Sequence, residues 1–265
     1  MPAAQFPTDI RCYGIKRINN LNYLREYLMS NTISVEDQKI LAAQTAIDRL
    51  ISEGLIHSGM KIGLGTGSTA MPAVKRLAEY IEKGNLKNIA AVPTSFQTSI
   101  ACEEFNIPIF SLSSGRINGA LDLTIDGADE IDSKKNLIKG GGAALLREKI
   151  IAYNSELFVV IGDETKSVKT LGVNFPLPIE IVPEARLSIM KKLESYGVSM
   201  IIRDGIRKKG PVITDNGNFI MDIKWPPNAK INPVKLEIEL NAIPGIIENG
   251  FFTQKPPRVF LGRAN

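Results

Sequence analysis

Hydrophobic residues follow two alternating patterns along this chain. From Ser34 onward, apolar side chains recur every three or four positions, which predicts a helix that begins within the polar sequence Ser34–Asp37. Met60–Gly65 is a short apolar run that ends in glycines and predicts a buried strand. The alternation then predicts helices at Met71 to about Glu82 and Ala143–Tyr153, and strands at Ile89–Val92, Pro108–Leu112, Leu121–Ile125 and Leu157–Ile161. Because helices separate the strands, we expect a mostly parallel sheet with both faces covered.

The order of predicted elements changes after Lys166. Asp215–Asn218 contains Asn-Gly, which tolerates the positive φ of a tight hairpin turn. The elements predicted around this turn are a strand at Ile179–Val182, a helix at Glu184–Tyr196, a strand at Ser199–Arg203 or Val212–Thr214, a strand at Phe219–Ile223, a helix around Pro233–Ile243 and a strand at Ile246–Asn249. This βαββαβ order is typical of a small ferredoxin-like domain.

Together these patterns predict an α/β protein in which a mostly parallel, doubly wound sheet domain carries a smaller βαββαβ (ferredoxin-like) α+β domain. Residues 34–172 with residues 245–265 are predicted to form the larger α/β domain, and residues 173–244 the small one. Residues 1–33 show no sustained helical period, so we interpret them as a poorly packed extension.

Composition excludes several classes of protein. Of the 265 residues, 44% are hydrophobic, but no apolar run approaches the roughly 20 residues of a membrane-spanning helix, so we expect no membrane partner. The formal net charge of +4 is too small to indicate a nucleic-acid partner. Cys12 and Cys102 form no CxxC pair, which favours a reducing, cytoplasmic location over a zinc cluster or disulfides. His57 is the only histidine, which excludes a two-histidine metal site, and we expect it in a polar turn.

A glycine-rich segment, Gly63–Ala70, joins the first predicted strand to a helix. It satisfies a G-x-G-x-x-A pattern, but a dinucleotide site expects an acid after the next strand, and Val92–Phe96 contains none. We favour a phosphate-binding turn in which backbone N–H groups converge and the helix dipole attracts an anion. A dinucleotide site and a purely structural turn remain alternatives. The predicted phosphate-binding residues are Thr66, Gly67, Ser68 and Thr69.

A cluster of acids follows the predicted strand at Leu121–Ile125. Asp126 and Asp129 come just past the strand end, where ligands of parallel sheets bind. Between them, Gly127 and Ala128 indicate a close approach of the backbone to a ligand. A divalent-metal site and a solvated acidic turn are the competing interpretations. The remaining acids of this segment are expected to face solvent: Glu130 and Asp132.

A lysine stands beside three glycines at the next predicted helix start. Lys139 precedes Gly140, Gly141 and Gly142, and Glu148 is expected nearly two turns inside the helix. Three glycines there cost conformational entropy, so a closely bound ligand is a plausible reason for them. The spacing alone leaves a solvated and a catalytic interpretation open for Glu148. Farther along, Lys166 follows another strand end and is either a cation of the same site or a surface lysine.

Three of these motifs, in this order and spacing, resemble the type A ribose-5-phosphate isomerases. The motifs are Gly65–Ala70, Asp126–Glu130, and Ile138–Leu145 followed by Arg147–Lys149; Phe175–Pro178 and Leu240–Gly245 are also similar. The resemblance runs from about Glu36 to Gly262. The stretch before Ser34 and the short ending Phe260–Asn265 depart from the family, which leaves open whether the last sheet strand is complete.

The resemblance implies interconversion of ribose 5-phosphate and ribulose 5-phosphate through an enediolate, within the non-oxidative pentose phosphate pathway. It implies no cofactor, no metal and a small-molecule sugar phosphate as the ligand. By resemblance, Glu148 is the base, with a pKa that partial burial raises. It also implies a homodimer or a dimer of dimers.

The other site residues also receive roles from the resemblance. Lys139 and the amides of Gly140–Gly142 would stabilise the enediolate charge. Asp126 and Asp129 resemble the residues that act on the sugar hydroxyls and in ring opening. The phosphate would be held by Thr66–Thr69 with Lys166.

Two other classes of protein compete with this interpretation. An amino-sugar-phosphate deaminase-isomerase or an acyl-CoA transferase can share a similar sheet, but neither calls for the segment from Lys139 to Glu148 as written. A non-catalytic sugar-phosphate sensor could retain Thr66–Thr69 and would have little need of Glu148.

Overall fold

The first part of the chain alternates helices and strands, as the sequence predicts. The computed structural model describes residues 34–207 and 209–263; the predicted extension and Cys12 lie outside them. The elements begin with α1 (Val35–Ser52), β1 (Lys61–Leu64), α2 (Ala70–Glu82), β2 (Ala90–Pro93), α3 (Phe96–Glu104), β3 (Leu121–Gly127), β4 (Glu130–Ile131), β5 (Leu137–Ile138), α4 (Leu145–Tyr153) and β6 (Ser155–Asp163). Helix α1 starts where predicted, because the Ser34 side chain accepts a hydrogen bond from the N–H of Asp37.

The second part forms the predicted βαββαβ unit. Its elements are β7 (Leu177–Ile181), α5 (Arg186–Leu193), β8 (Ser199–Ile202), β9 (Phe219–Lys224), α6 (Pro233–Asn241) and β10 (Ile246–Asn249), followed by β11 (Phe251–Phe252) and β12 (Arg258–Gly262). The four strands β10-β7-β9-β8 pair antiparallel in that order. Of the two candidate strands before the Asn-Gly turn, the first forms β8, whereas Ile213 makes only an isolated bridge to Phe219.

Five parallel strands form the larger sheet, in the order β12-β6-β3-β1-β2. Successive residues of β6 face opposite sides, as strand geometry requires. Val159 and Ile161 pack with the apolar side chains of α1 and α2, whereas Phe158 and Val160 pack with Phe252 on the other face. Both faces are therefore buried, which confirms the predicted parallel α/β architecture. The strand near the C-terminus, β12, pairs with β6 along its whole length.

A small three-stranded sheet, β11-β5-β4, connects the two larger sheets. Ile138 of β5 pairs with Phe251 of β11, and the N–H of Lys139 donates to the carbonyl oxygen of Gly250. Since Gly250 directly follows β10, the backbone of Lys139 is tied to the smaller sheet. The predicted division at residue 244 stays a prediction, although β10 lies beyond it and pairs with β7 of the smaller sheet.

Several predicted elements differ from the structure. The strand predicted at Pro108–Leu112 is reduced to an isolated bridge between Ala91 and Ile109. Helix α3 was not predicted, although Ser95 caps it with its side-chain oxygen. The helix predicted at Glu184–Tyr196 is α-helical only over α5, and 3-10 turns form its two ends. Within the described residues, no helix has the length and apolarity needed to cross a membrane.

Packing of the parallel sheet predicts a large stability loss when its core is truncated. Leu123 of β3 is fully buried, so Leu123→Ala should lower the free energy of unfolding by about 2–5 kcal/mol, because it leaves a cavity. Leu187→Ala on α5 is the matched control, since Leu187 is 59% exposed, and it should change stability by less than about 0.5 kcal/mol. Urea unfolding measures both. Equal losses for the two variants would contradict the description of the core.

Candidate active site

The predicted site residues converge on one cavity at the carboxyl edge of the larger sheet. The cavity has a volume of about 130 Å³ and is lined by Lys39, Thr66, Ser68, Thr69, Gly127, Ala128, Asp129, Lys139, Gly141, Gly142, Glu148 and Lys166. Larger pockets exist elsewhere on the described surface, but carboxylates and lysines do not converge in them as they do here. Three predicted residues do not line it: Gly67, Asp126 and Gly140. The segments that follow β1 and β3 meet here because these parallel strands of one sheet end at the same edge. The segment after β5 reaches the cavity from the small three-stranded sheet.

Lys139 is the centre of a buried charge cluster on the floor of the cavity. Its Nζ lies 3.0 Å from Asp126 Oδ2 and 3.1 Å from Glu148 Oε2. The ammonium also donates a hydrogen bond of 2.6 Å to the carbonyl oxygen of Gly127. All three charged side chains are at most 5% exposed. One cation therefore faces two carboxyl groups in a site with little access to water.

Burial shifts the pKa values of all three groups. Burial raises the pKa of Glu148 to about 8; the neighbouring Asp126 adds to this rise, whereas Lys139 opposes it. Burial likewise raises the pKa of Asp126, against the effect of Lys139. For Lys139, burial alone would lower the pKa, but Asp126 and Glu148 outweigh it and raise the pKa above its ordinary value. Lys139 is therefore a cation at neutral pH.

Within the described residues, the Asp126 side chain accepts hydrogen bonds from two backbone N–H groups, and the Glu148 side chain has no such bond. The N–H groups of Gly127 and Thr66 donate to Asp126 Oδ1 at 2.7 and 3.2 Å. These donors favour the ionised form of Asp126, so we expect Glu148 to be the carboxyl group that gains and loses a proton near neutral pH. The close fit also explains Gly65, because a Cβ at this position would overlap Asp126 Oδ1.

The glycine loop after Lys139 shapes one wall of the cavity. Gly140 has φ +108°, and a Cβ there would lie 2.8 Å from Leu145 Cδ2, so this position requires glycine. The N–H of Gly141 donates to Asp129 Oδ2 at 2.8 Å. Helix α4 begins only at Leu145, which places Glu148 in its first turn. The expectation that Glu148 lies nearly two turns inside the helix is wrong, because the glycines remain outside it.

The segment after β1 uses several of its groups within the protein. Thr66 Oγ1 lies 2.7 Å from both Thr94 Oγ1 and Ser95 Oγ, so its hydroxyl belongs to a cluster of hydroxyls near the start of α3. The N–H of Gly67 donates to the side chain of Gln97 at 3.2 Å. Ser68 and Thr69 line the cavity at the beginning of α2, where a helix attracts anions.

Lys39 is a cavity residue that the sequence analysis missed. It lies on α1, and its Nζ is 3.3 Å from Ser68 Oγ. Lys166 reaches the same cavity from the 3-10 turn after β6. Two ammonium groups therefore border the start of α2. No motif marks Lys39, because only the packing of α1 beside β6 and β12 brings it to this edge.

Glu130 has a structural role, and His57 does not line the cavity. The expectation that Glu130 faces solvent is wrong, since it is buried and accepts hydrogen bonds from the N–H groups of Gly172, Asn174 and Phe175. Asp132 is half-buried and accepts hydrogen bonds within its own turn. His57 lies exposed in a turn, as predicted. The described residues contain no group of three His, Cys, Asp or Glu that could hold a metal ion.

A buried lysine–carboxylate cluster beside a glycine loop and two further lysines has the groups that acid–base chemistry on an anionic ligand requires. Comparison with known proteins identifies the family. The family model for ribose 5-phosphate isomerase A (phosphoriboisomerase A) matches residues 90–265. The chain belongs to the ribose-5-phosphate isomerase A family.

Individual relatives agree with this assignment. The ribose-5-phosphate isomerase A of Treponema denticola is 67% identical over 219 residues, which cover 83% of this chain and 92% of the relative. The corresponding protein of Treponema pallidum is 58% identical over 241 residues, which cover 91% and 95%. This chain is accordingly an isomerase, and the relatives give no support to a non-catalytic sensor.

Solved structures share the fold. A D-ribose-5-phosphate isomerase in complex with phospho-erythronic acid superposes with a TM-score of 0.81 at 44% identity, covering 87% of this chain and 96% of that one. The ribose 5-phosphate isomerase of Methanocaldococcus jannaschii gives a TM-score of 0.78 at 40% identity, covering 86% and 96%.

The charge cluster predicts an unusual titration for Glu148. In protein labelled with ¹³C at glutamate carboxyls, its signal should titrate near pH 8, far above the ordinary 4.5, because burial disfavours the carboxylate. Lys139→Met should move the midpoint higher still, since the cation that opposes the rise is lost. Glu148→Gln removes the signal and so assigns it. A midpoint below about 5 in the unaltered protein would contradict the buried cluster.

Proposed function

We propose that this chain interconverts D-ribose 5-phosphate and D-ribulose 5-phosphate, with Glu148 as the base that moves a proton between C2 and C1. The observation that carries this proposal is the buried contact of Glu148 with Lys139 at the floor of the cavity. The substrate is taken from the names of the relatives. A carboxyl group with a pKa of about 8 suits the role, because it can both accept and return a proton near neutral pH.

The reaction requires two proton movements that conserve the atoms of the sugar. Glu148 takes the proton from C2 of the open-chain aldose, and the electron pair moves toward the C1 carbonyl to form the enediolate. Glu148 then returns the proton to C1, while the hydroxyl proton of O2 passes to O1. Asp129 lines the cavity and is proposed to contact the sugar hydroxyls and assist ring opening. Asp126 is buried outside the cavity lining, 3.0 Å from Lys139, and is proposed to act through the charge of that lysine.

Negative charge on the enediolate oxygens requires donors that are already in place. Lys139 and the Gly142 amide are proposed for this task, because preorganised donors in a dry site stabilise developing charge strongly. Of the other two predicted amides, the N–H of Gly141 already donates to Asp129, and Gly140 does not line the cavity. Mutational loss of one such donor typically costs about 10²- to 10³-fold in kcat. General-base catalysis by Glu148 contributes about 10²- to 10⁴-fold. The base and the donors act on the same step, because loss of the C2 proton creates the charge that Lys139 and the amide stabilise.

The phosphate is proposed to bind at the start of α2. Ser68 and Thr69 lie there, and Lys39 and Lys166 add two positive charges. Anchoring the phosphate fixes the reactive carbons relative to Glu148. Thr66 and Gly67 contribute to the shape of this turn, since their own donors are engaged with Ser95 and Gln97 or nearby groups.

The wider setting follows from the family resemblance. We propose a role in the non-oxidative pentose phosphate pathway, a cytoplasmic location, and a homodimer or dimer of dimers. Cys102, the cysteine within the described residues, is free and buried, in keeping with a reducing compartment.

Replacing the base tests the mechanism directly. Glu148→Gln should lower kcat at least about 100-fold and leave KM nearly unchanged, because an amide binds the sugar but cannot take its proton. Its residual activity should also lose the rise with pH that Glu148 produces as it ionises near pH 8. Glu156→Gln is the matched control, since Glu156 is exposed and outside the cavity. Near-normal turnover in Glu148→Gln would refute the assignment.

Replacing the cavity lysines tests the phosphate site. Lys166→Ala and Lys39→Ala should each raise KM about tenfold or more for ribose 5-phosphate, because a charged hydrogen bond contributes about 1.5–3 kcal/mol. Steady-state kinetics separate this effect from kcat. The exposed Lys134 gives the control variant Lys134→Ala. A variant with an unchanged KM would remove that lysine from the phosphate site.

A further inference from the structure

One arginine of the smaller sheet holds the glycine loop of the candidate active site. Arg203 directly follows β8, and its Nη1 donates hydrogen bonds to the carbonyl oxygens of Gly140 at 2.9 Å and Gly141 at 3.0 Å. The other edge of the guanidinium binds both carboxylate oxygens of Asp222 on β9, with Nε–Oδ2 at 2.8 Å and Nη2–Oδ1 at 2.5 Å. The guanidinium is therefore fixed between the smaller sheet and the loop, and its side chain is only 17% exposed.

These contacts determine how two peptide planes of the loop are turned. In a trans peptide, the C=O and the following N–H point in opposite directions. The carbonyl of Gly140 points to Arg203, and the N–H of the same peptide, on Gly141, points to Asp129 in the cavity. Since the carbonyl of Gly141 also points to Arg203, the N–H of Gly142 must point away from Arg203, on the cavity side of the loop. Gly142 lines that cavity.

Glycine backbones rotate freely, so a contact from outside the loop is needed to fix the orientation of its peptide planes. The loop has one internal turn bond, from the N–H of Ala143 to the carbonyl oxygen of Gly140 at 3.0 Å. That bond is compatible with two opposite orientations of the central Gly141–Gly142 peptide, as in type I and type II turns, and glycine offers no Cβ that would select one of them. Arg203 is the recorded partner of the Gly141 carbonyl. A lysine could not replace it, because a single ammonium lacks the planar fork that spans two carbonyls and a carboxylate.

We propose that Arg203 is a positioning residue for the isomerisation: from the smaller sheet it fixes the peptide planes that present the Gly142 amide to the enediolate. The inference rests on the proposed function and adds a residue outside the cavity to it. Hydrogen bonds from a cation also polarise both peptides, which strengthens their N–H groups as donors. Arg203 thus acts on the charge that develops during the reaction, whereas Lys39 and Lys166 act on the phosphate in every bound state.

Arg203→Ala should therefore separate kcat from KM. We expect kcat to fall about 10- to 100-fold, since the amide remains but is no longer preorganised, while KM changes less than about threefold. Calorimetry with two probes gives a second measure. Inorganic phosphate should bind as before, whereas phospho-erythronic acid, whose planar carboxylate resembles the enediolate, should bind at least about tenfold more weakly. Arg186→Ala is the control, because Arg186 is exposed on α5.

Two additional measurements distinguish positioning from a general structural role. Guanidinium chloride at millimolar concentration should restore part of the lost kcat in Arg203→Ala, and sodium chloride at equal ionic strength should not. Arg203→Lys, which retains the charge, should still have a lowered kcat. If the alanine variant does not fold, the lysine variant replaces it in these measurements. An unchanged kcat in both variants, or equal weakening of both probes, would overturn the inference. Absence of isomerase activity in the unaltered chain would instead refute the proposed function.

Discussion

The site depends on one buried ammonium that faces two carboxyl groups. Isolated buried charges are costly, and they persist only when partners compensate them. Lys139 compensates Asp126 and Glu148 together, so the cluster always holds one carboxyl group more than the cation can neutralise. Backbone donors favour the charge on Asp126, so we expect the mobile proton on Glu148. Surroundings that separate the pKa values of two carboxyl groups are typical of acid–base catalysts. Here two backbone N–H groups distinguish the surroundings of Asp126 from those of Glu148.

The orientation of Glu148 depends on a second buried cluster on the same helix. The adjacent Lys149 contacts Glu237 of α6 at 3.2 Å and Glu248 of β10 at 2.8 Å. These ion pairs link α4, the helix that carries Glu148, to α6 and β10. The ring centroid of Phe252 lies 5.5 Å from Lys139 Nζ and 5.0 Å from Lys149 Nζ, so both ammonium groups contact the same ring. Packing between the sheets therefore stabilises the position of the helix that carries Glu148.

The sequence was most informative where a local pattern determines the structure. Periodicity predicted the parallel sheet and the βαββαβ unit, and the motif glycines located the cavity, because both depend on neighbours along the chain. Prediction from the sequence failed where contacts between residues far apart in the chain determine the position of a side chain. Glu130 is buried because the backbone of residues 172–175 folds over it, and Lys39 reaches the cavity only through helix packing. Pro108–Leu112 has the apolar character of a strand but finds only one bridging partner at the sheet edge.

The glycine loop explains why the site needs both sheets. Three glycines allow the backbone to approach a ligand closely, yet the same freedom would let the amides point anywhere. Asp129, from the segment after β3, holds the N–H of the Gly140–Gly141 peptide, and Arg203, from the smaller sheet, holds its carbonyl. A single peptide plane is thus fixed at both ends by different sheets. A relative shift of the two sheets would turn that plane, so the orientation of the loop amides depends on the packing between the sheets.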